Sequence, residues 1–285
     1  MDLSVIIVSW KVRERLLKNL EALYKSQGNF SWEVFVVDND SGDGTVEAVQ
    51  ARFPEVKVIA NDQNLGFAKA NNQAIKQAQG DFILLLNPDM LVQTDSLEKM
   101  LGFMKSQPSA VVASARLYDE SGKILKHVRK FPIWRDQALI ILKLPHLFPA
   151  CLNKYLQSDF DYNQAAAVDS VRGSFFMISR LAYKKISGQE RPLLDERYFI
   201  WFEEVDFCRQ VKKLGGEVWY TPLVSAIDGV GQSFKRVKTG QTQKYFRASM
   251  LSYFKKWEPR WQACFLSVLW PIGIGLARGF KFLKK

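Results

Sequence analysis

Four short apolar runs set the frame of this chain. LSVIIVSW (3–10), EVFVVDND (33–40), VKVIA (56–60) and DFILLLN (81–87) are β-branched or leucine-rich and barely interrupted by polar residues. Runs of that length without alternation are strands covered on both faces, as in a parallel sheet. Helical spacing fills the gaps between them. Leu16, Leu20, Leu23 and Tyr24 share one face, with Gly28 placed as a C-terminal cap. DGTVEAVQARFP reads as a helix stopped at Pro54, and Phe67, Ala70, Ala74 and Ala78 form a third apolar face ahead of Gly80. Asp95 and Glu98 are spaced as a capping box for a fourth helix, with Leu97, Met100, Leu101 and Met104 inward. Strand–helix alternation at this rhythm predicts an α/β fold, a parallel sheet with helices on both faces.

Beyond residue 110 the pattern loosens. AVVASARLYDESGKILKHV reads as a strand and a hairpin through Ser121-Gly122, and residues 132–165 resist assignment. VDSVRGSFFMISR returns to strand character, FIWFEEVDFCRQVKKLGG reads as a helix, and EVWYTP as one more strand. That helix starts acidic and ends basic, in agreement with its macrodipole.

Charge divides the chain. Of 40 Lys/Arg and 29 Asp/Glu, residues 235–285 hold 12 basic groups and a single acid, Glu258. The first 234 residues are therefore neutral, and the last stretch carries the whole net charge of +11. A boundary at 234/235 and a partner of opposite sign for the tail follow. Cys151, Cys208 and Cys264 form no CxxC, so buried thiols in a reducing compartment are expected. The chain opens on SVIIVSW without a basic n-region and cleavage site, which points to a cytoplasmic or cytoplasm-facing protein.

Chemistry is concentrated where strands end. In an open α/β sheet, ligands bind outside the carboxyl ends of the strands. Two runs finish in acids there, Asp38-Asn39-Asp40 and Asn87-Pro88-Asp89, and both clusters are expected along one edge. No GxxxxGK[ST] and no GxGxxG after the first strand is present, against a P-loop or dinucleotide site. NLGFAKANNQAI precedes a helix; it is either a phosphate- or ribose-facing loop or simply a capped helix. Glu203, Glu204 and Asp206 form the third acidic group, Glu203 and Asp206 sharing a helix face. Read alone they could be dipole partners. The aromatic FIWF before them favours neutral carboxyls and so raises their pKa toward general-base range.

The ordered set SVIIVSW, VVDNDSGDGT, NLGFAKANNQAI, GDFILLLNPD, RGSFFMISR and LDERYFIWFEEVDFCRQ, over about residues 3–235, closely resembles the family 2 glycosyltransferases, nearest to a rhamnosyltransferase-like branch. The resemblance implies a GT-A fold, Rossmann-like and mostly parallel. It implies a nucleotide-diphospho-sugar donor and a lipid-linked or glycan acceptor in cell-envelope polysaccharide assembly, with inversion at the transferred sugar. By position, Ser9, Asp38 and Asp40 belong to the nucleotide site, and Asn64, Gly66, Asn72 and Asn87 to the nucleotide-sugar pocket. Asp89 takes the place of the metal ligand for Mg²⁺ or Mn²⁺, Glu204 that of the catalytic base, and Glu203 and Asp206 support it or meet the acceptor. Where relatives carry a histidine near the end of the domain, this chain has Asp228. That residue can bind a hard cation but, when ionised, cannot donate to a phosphate. A sugar-phosphate nucleotidyltransferase would instead carry a glycine-rich loop after the first strand, where SWKVRERL stands. A non-catalytic scaffold of the same fold is the other alternative.

The tail interleaves Lys and Arg with Phe, Tyr and Trp and contains the apolar stretch 261–277, broken by Pro271, Gly273 and Gly275. Its length is near the lower limit for a membrane span. Three readings follow: a spanning helix, an interfacial segment on an anionic membrane surface, or a helix packed on the catalytic domain. The second places the protein peripherally on the inner face of the cell membrane. Nucleic acid is the poorer partner, since it leaves the apolar stretch unexplained.

Overall fold

The structure, a computed structural model, describes residues 1–229 and 239–283. The expected boundary at 234/235 lies outside the described residues, as do Lys235, Arg236, Lys238, Lys284 and Lys285. The strands are β1 (Leu3–Ser9), β2 (Trp32–Asn39), β3 (Lys57–Asn61), β4 (Phe82–Leu86), β5 (Met90–Val92), β6 (Ala110–Tyr118), β7 (Ala166–Val168), β8 (Phe175–Ser179) and β9 (Glu217–Asp228). The helices are α1 (Arg13–Leu23), α2 (Thr45–Arg52), α3 (Phe67–Ile75), α4 (Ser96–Ser106), α5 (Trp134–Ile141), α6 (Asn153–Leu156), α7 (Arg180–Ser187), α8 (Glu203–Lys213), α9 (Thr239–Trp257) and α10 (Arg260–Leu283).

All strands join one sheet of order β3-β2-β1-β4-β8-β6-β9-β5, with β7 also paired to β9. β1 to β4, β6 and β9 run one way, and β5, β7 and β8 the other, so the sheet is mostly parallel. Strand periodicity sorts the apolar runs between the two faces. Leu3, Val5, Ile7 and Leu84 join Leu16 and Leu20 of α1 on one face, while Ile6, Ile83 and Leu85 join Ala70 and Ala74 of α3 on the other.

Local details depart from the sequence reading where tertiary contacts override spacing. α1 ends at Leu23 and is capped by Tyr24, so Gly28 instead serves the following turn, at φ 144°. Asp95 makes no side-chain cap; it pairs with Lys99 at 2.5 Å, and Glu98 accepts from the Asn29 amide at 3.4 Å. Cys208 is buried, but Cys151 and Cys264 are exposed. His127 is buried against the Ala115 carbonyl, and burial lowers its pKa to about 3, so it is a neutral structural ring. Residues 132–165 fold as α5, two short 3₁₀ turns and α6.

β9 does not stop at Pro222. Its pairing with β6 slips between Ala115/Thr221 and Arg116/Ser225, and this bulge absorbs the proline, which cannot donate to a ladder. The strand then continues to Asp228, which pairs opposite Met90 of β5.

The basic tail is partly core. Met250, Tyr253 and Phe254 of α9 and Leu266 of α10 are fully buried, with Tyr198, Phe202 and Ile141, in a third apolar cluster. Each such side chain contributes about 1.5–3 kcal/mol. A polar clasp adds direction. Asp206 of α8 accepts from Lys256 Nζ and Trp257 Nε1, each at 2.6 Å, and from the Tyr198 hydroxyl at 3.0 Å. The tail's lone acid, Glu258, pairs with Arg209 of α8 at 2.8 Å. The outer side of α10 is different. Trp261, Phe265, Val268, Ile272 and Leu276 are exposed and recur at helical spacing on one stripe. Among the described residues no helix is long and apolar enough to cross a membrane.

Asp206→Ala removes the acceptor for three donors at a buried position. It is expected to cost about 3–5 kcal/mol, read as a lower denaturant midpoint at unchanged slope. A paired Asp206→Leu, Lys256→Met variant should recover much of that loss.

Candidate active site

β2, β1 and β4 are adjacent and parallel, so their carboxyl ends share one edge of the sheet, as the acid clusters required. β1 stops at Ser9, β2 at Asn39, and β4 passes into Asn87-Pro88-Asp89. A cavity of about 580 Å³ lies over this edge. Asn64, Gly66, Asn87, Asp89, Glu203 and Glu204 line it together. The strand-end acid and the α8 acids therefore face one space, although more than a hundred residues separate them in sequence.

The floor is built by a network of amides. Asn39 Nδ2 donates to Asn64 Oδ1 at 3.0 Å and to the Gly66 carbonyl at 3.3 Å, while Asn39 Oδ1 accepts from Asn61 and the Leu65 amide. Gly66 has φ 81°, and a Cβ there would meet the Phe199 carbonyl oxygen at 2.4 Å. Only glycine combines that conformation with that approach. The contact is used: the Phe67 amide donates to the same carbonyl at 2.6 Å.

Ser9 and Asp38 pair in register at the ends of β1 and β2, off the cavity wall. Both are buried; among the described residues the Ser9 hydroxyl and Asp38 Oδ1 have no hydrogen-bond partner, while Asp38 Oδ2 accepts from the Ser41 amide at 3.1 Å. Buried polar atoms are rarely left so, which marks them as ligand-facing candidates. Asp40 is exposed at φ 65° in the following turn. Asn72 is turned away. Its amide clamps Leu194, donating to the carbonyl at 2.8 Å and accepting from the N–H at 2.9 Å. Asp206 is likewise off the cavity and belongs to the α8–α9 clasp.

Glu203 and Glu204 follow two residues with left-handed backbone, Trp201 (φ 63°) and Phe202 (φ 69°). Such strain in bulky residues is held only where the surroundings fix it, and it clusters at working sites. Burial pushes both carboxyls upward. Glu203 rises well above the ordinary range, by burial first and then by the Glu204 charge. Glu204 rises too, but Arg172 opposes the shift. The two shifts differ in cause: the Glu204 charge adds to burial at Glu203, whereas Arg172 offsets burial at Glu204.

Asp89 is raised by burial and by the charge of Asp228, its neighbour across the β5–β9 pair. Arg172 faces both groups, its guanidinium 3.5 Å from Asp228. Among the described residues no group of three or more His, Cys, Asp or Glu is placed so that it could hold a metal ion. Asp89 and Asp228 nevertheless supply two hard oxygen donors in a spot that disfavours a second unneutralised charge. Such a pair fits a divalent cation that completes its shell with phosphate and water oxygens.

The profile of glycosyl transferase family 2 matches residues 4–187. The chain belongs to this family. The glycosyltransferase is 23% identical over 243 residues to N-acetylglucosaminyl-diphospho-decaprenol L-rhamnosyltransferase of Mycobacterium tuberculosis, covering 81% of this chain and 77% of that one. It is 26% identical over 231 residues to the rhamnosyltransferase WbbL of Escherichia coli, covering 78% and 81%. Its fold is that of the GT-A enzymes. The crystal structure of GalNAc-T7 with UDP, GalNAc and Mn²⁺ superposes with a TM-score of 0.59 at 14% identity, covering 88% of this chain and 48% of that one. The glycosyltransferase thus spans about half the length of that neighbour.

Several residues of the site escape sequence reasoning. Arg172 stands in the quoted RGSFF run, and a lone basic residue before Gly-Ser was its only signal. Asn39 was masked by the acids on either side. Gln241 and Tyr245 belong to the basic tail, yet they line the cavity, with Tyr245 stacked on Phe199 at 4.3 Å.

Gly66→Ala is expected to lower the melting temperature markedly, because both φ and the Phe199 contact forbid a Cβ. Nucleotide-dependent thermal stabilisation should be lost with it. Gly240→Ala, with open space at its Cβ position, serves as the control.

Proposed function

We propose that this glycosyltransferase moves a sugar, with inversion, from a nucleotide-diphospho-sugar to a lipid-linked acceptor in cell-envelope polysaccharide assembly. The observation that carries the reading is the single cavity shared by Asp89 and the Glu203–Glu204 pair. Rhamnose is the favoured sugar, since both relatives above are named as rhamnosyltransferases. The lipid-linked acceptor follows the decaprenol in the name of the mycobacterial relative.

In this reading Ser9 and Asp38 meet the nucleoside, and the Asn64–Gly66 loop and Asn87 border the diphospho-sugar. Asn72 and Asp206 act at one remove, as positioning residues for segment 194–196 and for α9, and Asp40 shapes the turn after β2. A divalent cation, Mg²⁺ or Mn²⁺, held by Asp89 and Asp228 would neutralise the diphosphate leaving group. Arg172 adds fixed positive charge on the same side. Glu204 takes the proton from the acceptor hydroxyl. The hydroxyl oxygen forms its bond to the anomeric carbon as the bond to the diphosphate breaks, and the electron pair leaves with the diphosphate. One displacement inverts the centre, so no second nucleophile is needed. Glu203, its carboxyl raised well above the ordinary range by burial and by the Glu204 charge, stands beside the base.

Residues 1–234 then form the catalytic domain, and 235–285 a membrane-associating segment that also walls the acceptor side. The exposed stripe of α10 and the excess positive charge of the tail suit an anionic membrane surface. In this reading the enzyme sits peripherally on the cytoplasmic face of the membrane.

Glu204→Gln should cut transfer by about 10²–10⁴-fold while the donor still stabilises the protein in a thermal shift assay. Full activity in that variant would remove Glu204 from the role of base. A general base with a raised pKa is ionised only above it. Transfer should therefore fall as pH is lowered, along a limb lying above the ordinary glutamate range, and a pH–rate profile reads this directly. Donor-induced stabilisation should also need Mg²⁺ or Mn²⁺ and weaken in Asp89→Asn.

A further inference from the structure

A second cavity, of about 280 Å³, opens between α5, α9 and α10. Ile140, Ile141, Phe246, Trp270 and Ile274 make its walls apolar, and Lys143 is the cation among its lining residues. No carboxylate lines it, so the transfer chemistry described above has no use for it. Its position is informative. Trp201 lines this cavity and the catalytic cavity alike. Helix α9 also serves both: Gln241 and Tyr245 face the catalytic space, whereas Thr242 and Phe246, one residue further along, face the apolar one.

The surroundings hold this space in shape. Gly273 lets α10 approach α5 so closely that a Cβ would lie 2.4 Å from the Ile141 carbonyl oxygen. Phe246 and Trp270 stack with centroids 6.3 Å apart. The same helix α10 that supplies Trp270, Gly273 and Ile274 carries the exposed stripe from Trp261 to Leu276. An apolar chamber that shares a wall with a polar reaction chamber, beside an exposed apolar stripe, suits a substrate of matching polarity. Such a substrate is charged and hydroxylated at the reacting end and hydrocarbon at the other.

We propose that this pocket receives the isoprenoid units nearest the diphosphate of the acceptor lipid, while the sugar end of the acceptor enters the catalytic cavity past Trp201. The inference rests on the lipid-linked acceptor reading and deepens it. The volume lies just below the ~300–1,000 Å³ of ordinary small-molecule pockets. It holds a few isoprenoid units and leaves the rest of the chain to the bilayer. Lys143 is the lining cation that can meet diphosphate charge.

Farnesyl diphosphate and inorganic diphosphate are the probes, with binding to the full chain followed by tryptophan fluorescence. Wild type should bind farnesyl diphosphate at least tenfold more tightly than inorganic diphosphate. Ile274→Asn, which makes the wall polar, and Gln243→Trp, which fills the space from α9, should each remove that preference. Donor-induced thermal stabilisation, unchanged in both, certifies that the fold and donor site are intact. Equal affinity of wild type for the two probes, or an undiminished preference in both variants, overturns the proposal. Transfer assays separate it from the function on which it rests. Full transfer to a long-chain lipid acceptor by both variants would keep the transferase and dismiss the pocket. Preferential farnesyl diphosphate binding without transfer to any lipid-linked acceptor would keep the pocket and dismiss the acceptor reading.

Discussion

The parallel pairing of β1 with β2 on one side and β4 on the other is the constraint on which the site depends. Leu3 to Ser9 pair residue by residue with Trp32 to Asp38, and Leu3 to Ile6 with Phe82 to Leu85. A slip of one residue would turn every side chain of a strand to the opposite face. Here both faces are packed, by different helices, so a slip would bury the wrong shape rather than merely expose apolar surface. Register is therefore fixed by two cores at once, and with it the level at which Ser9, Asp38 and the Asn87–Asp89 turn emerge. Asn87 and Asp89 reach the cavity because β4 ends there, while Ser9 and Asp38 emerge at the same level off its wall.

Charge is arranged with equal economy. Four acids, Asp89, Asp228, Glu203 and Glu204, lie in or beside a space that burial makes hostile to negative charge, and Arg172 acts on three of them: Asp89, Asp228 and Glu204. Glu203 is raised well above the ordinary range, by burial first and then by the Glu204 charge. The asymmetry distinguishes two chemically similar neighbours: the Glu204 charge reinforces burial at Glu203, and Arg172 counters it at Glu204. Asp228 could not join this group if β9 ended at the proline. The bulge at Pro222 thus shapes the candidate site, since it carries the strand on to the position opposite Met90.

The strand ends were legible in the sequence because their signal is local. An apolar run followed by acids describes its own position in an open sheet. The α/β alternation through residue 106 was legible for the same reason. What escaped was non-local. Asn72 reads as part of a pocket loop, but its partner is Leu194, far along the chain. Asp206 reads as a third acid on the α8 face, but the donors that consume it come from α9. Arg172 carries no periodicity or spacing to single it out, and its importance comes entirely from the acids that surround it.

Charge counting marks the tail by its composition but says nothing of its contacts. The excess of Lys and Arg marks a stretch that differs from the rest in composition, and spacing on α10 gives it one exposed apolar side. Composition cannot reveal that Lys256 is neutralised by Asp206 and Asp195, or that Arg209 and Lys213 of α8 sit against the ring of Trp257. Through those contacts α9 is held against α8, and α8 begins with Glu203 and Glu204. The helix that supplies Tyr245 to the cavity is thereby locked to the helix that supplies the acids. The charged tail is thus tied, through α9, to the helix that opens with Glu203 and Glu204. Composition sets the tail apart, but these contacts make it part of the same packed body as the candidate site.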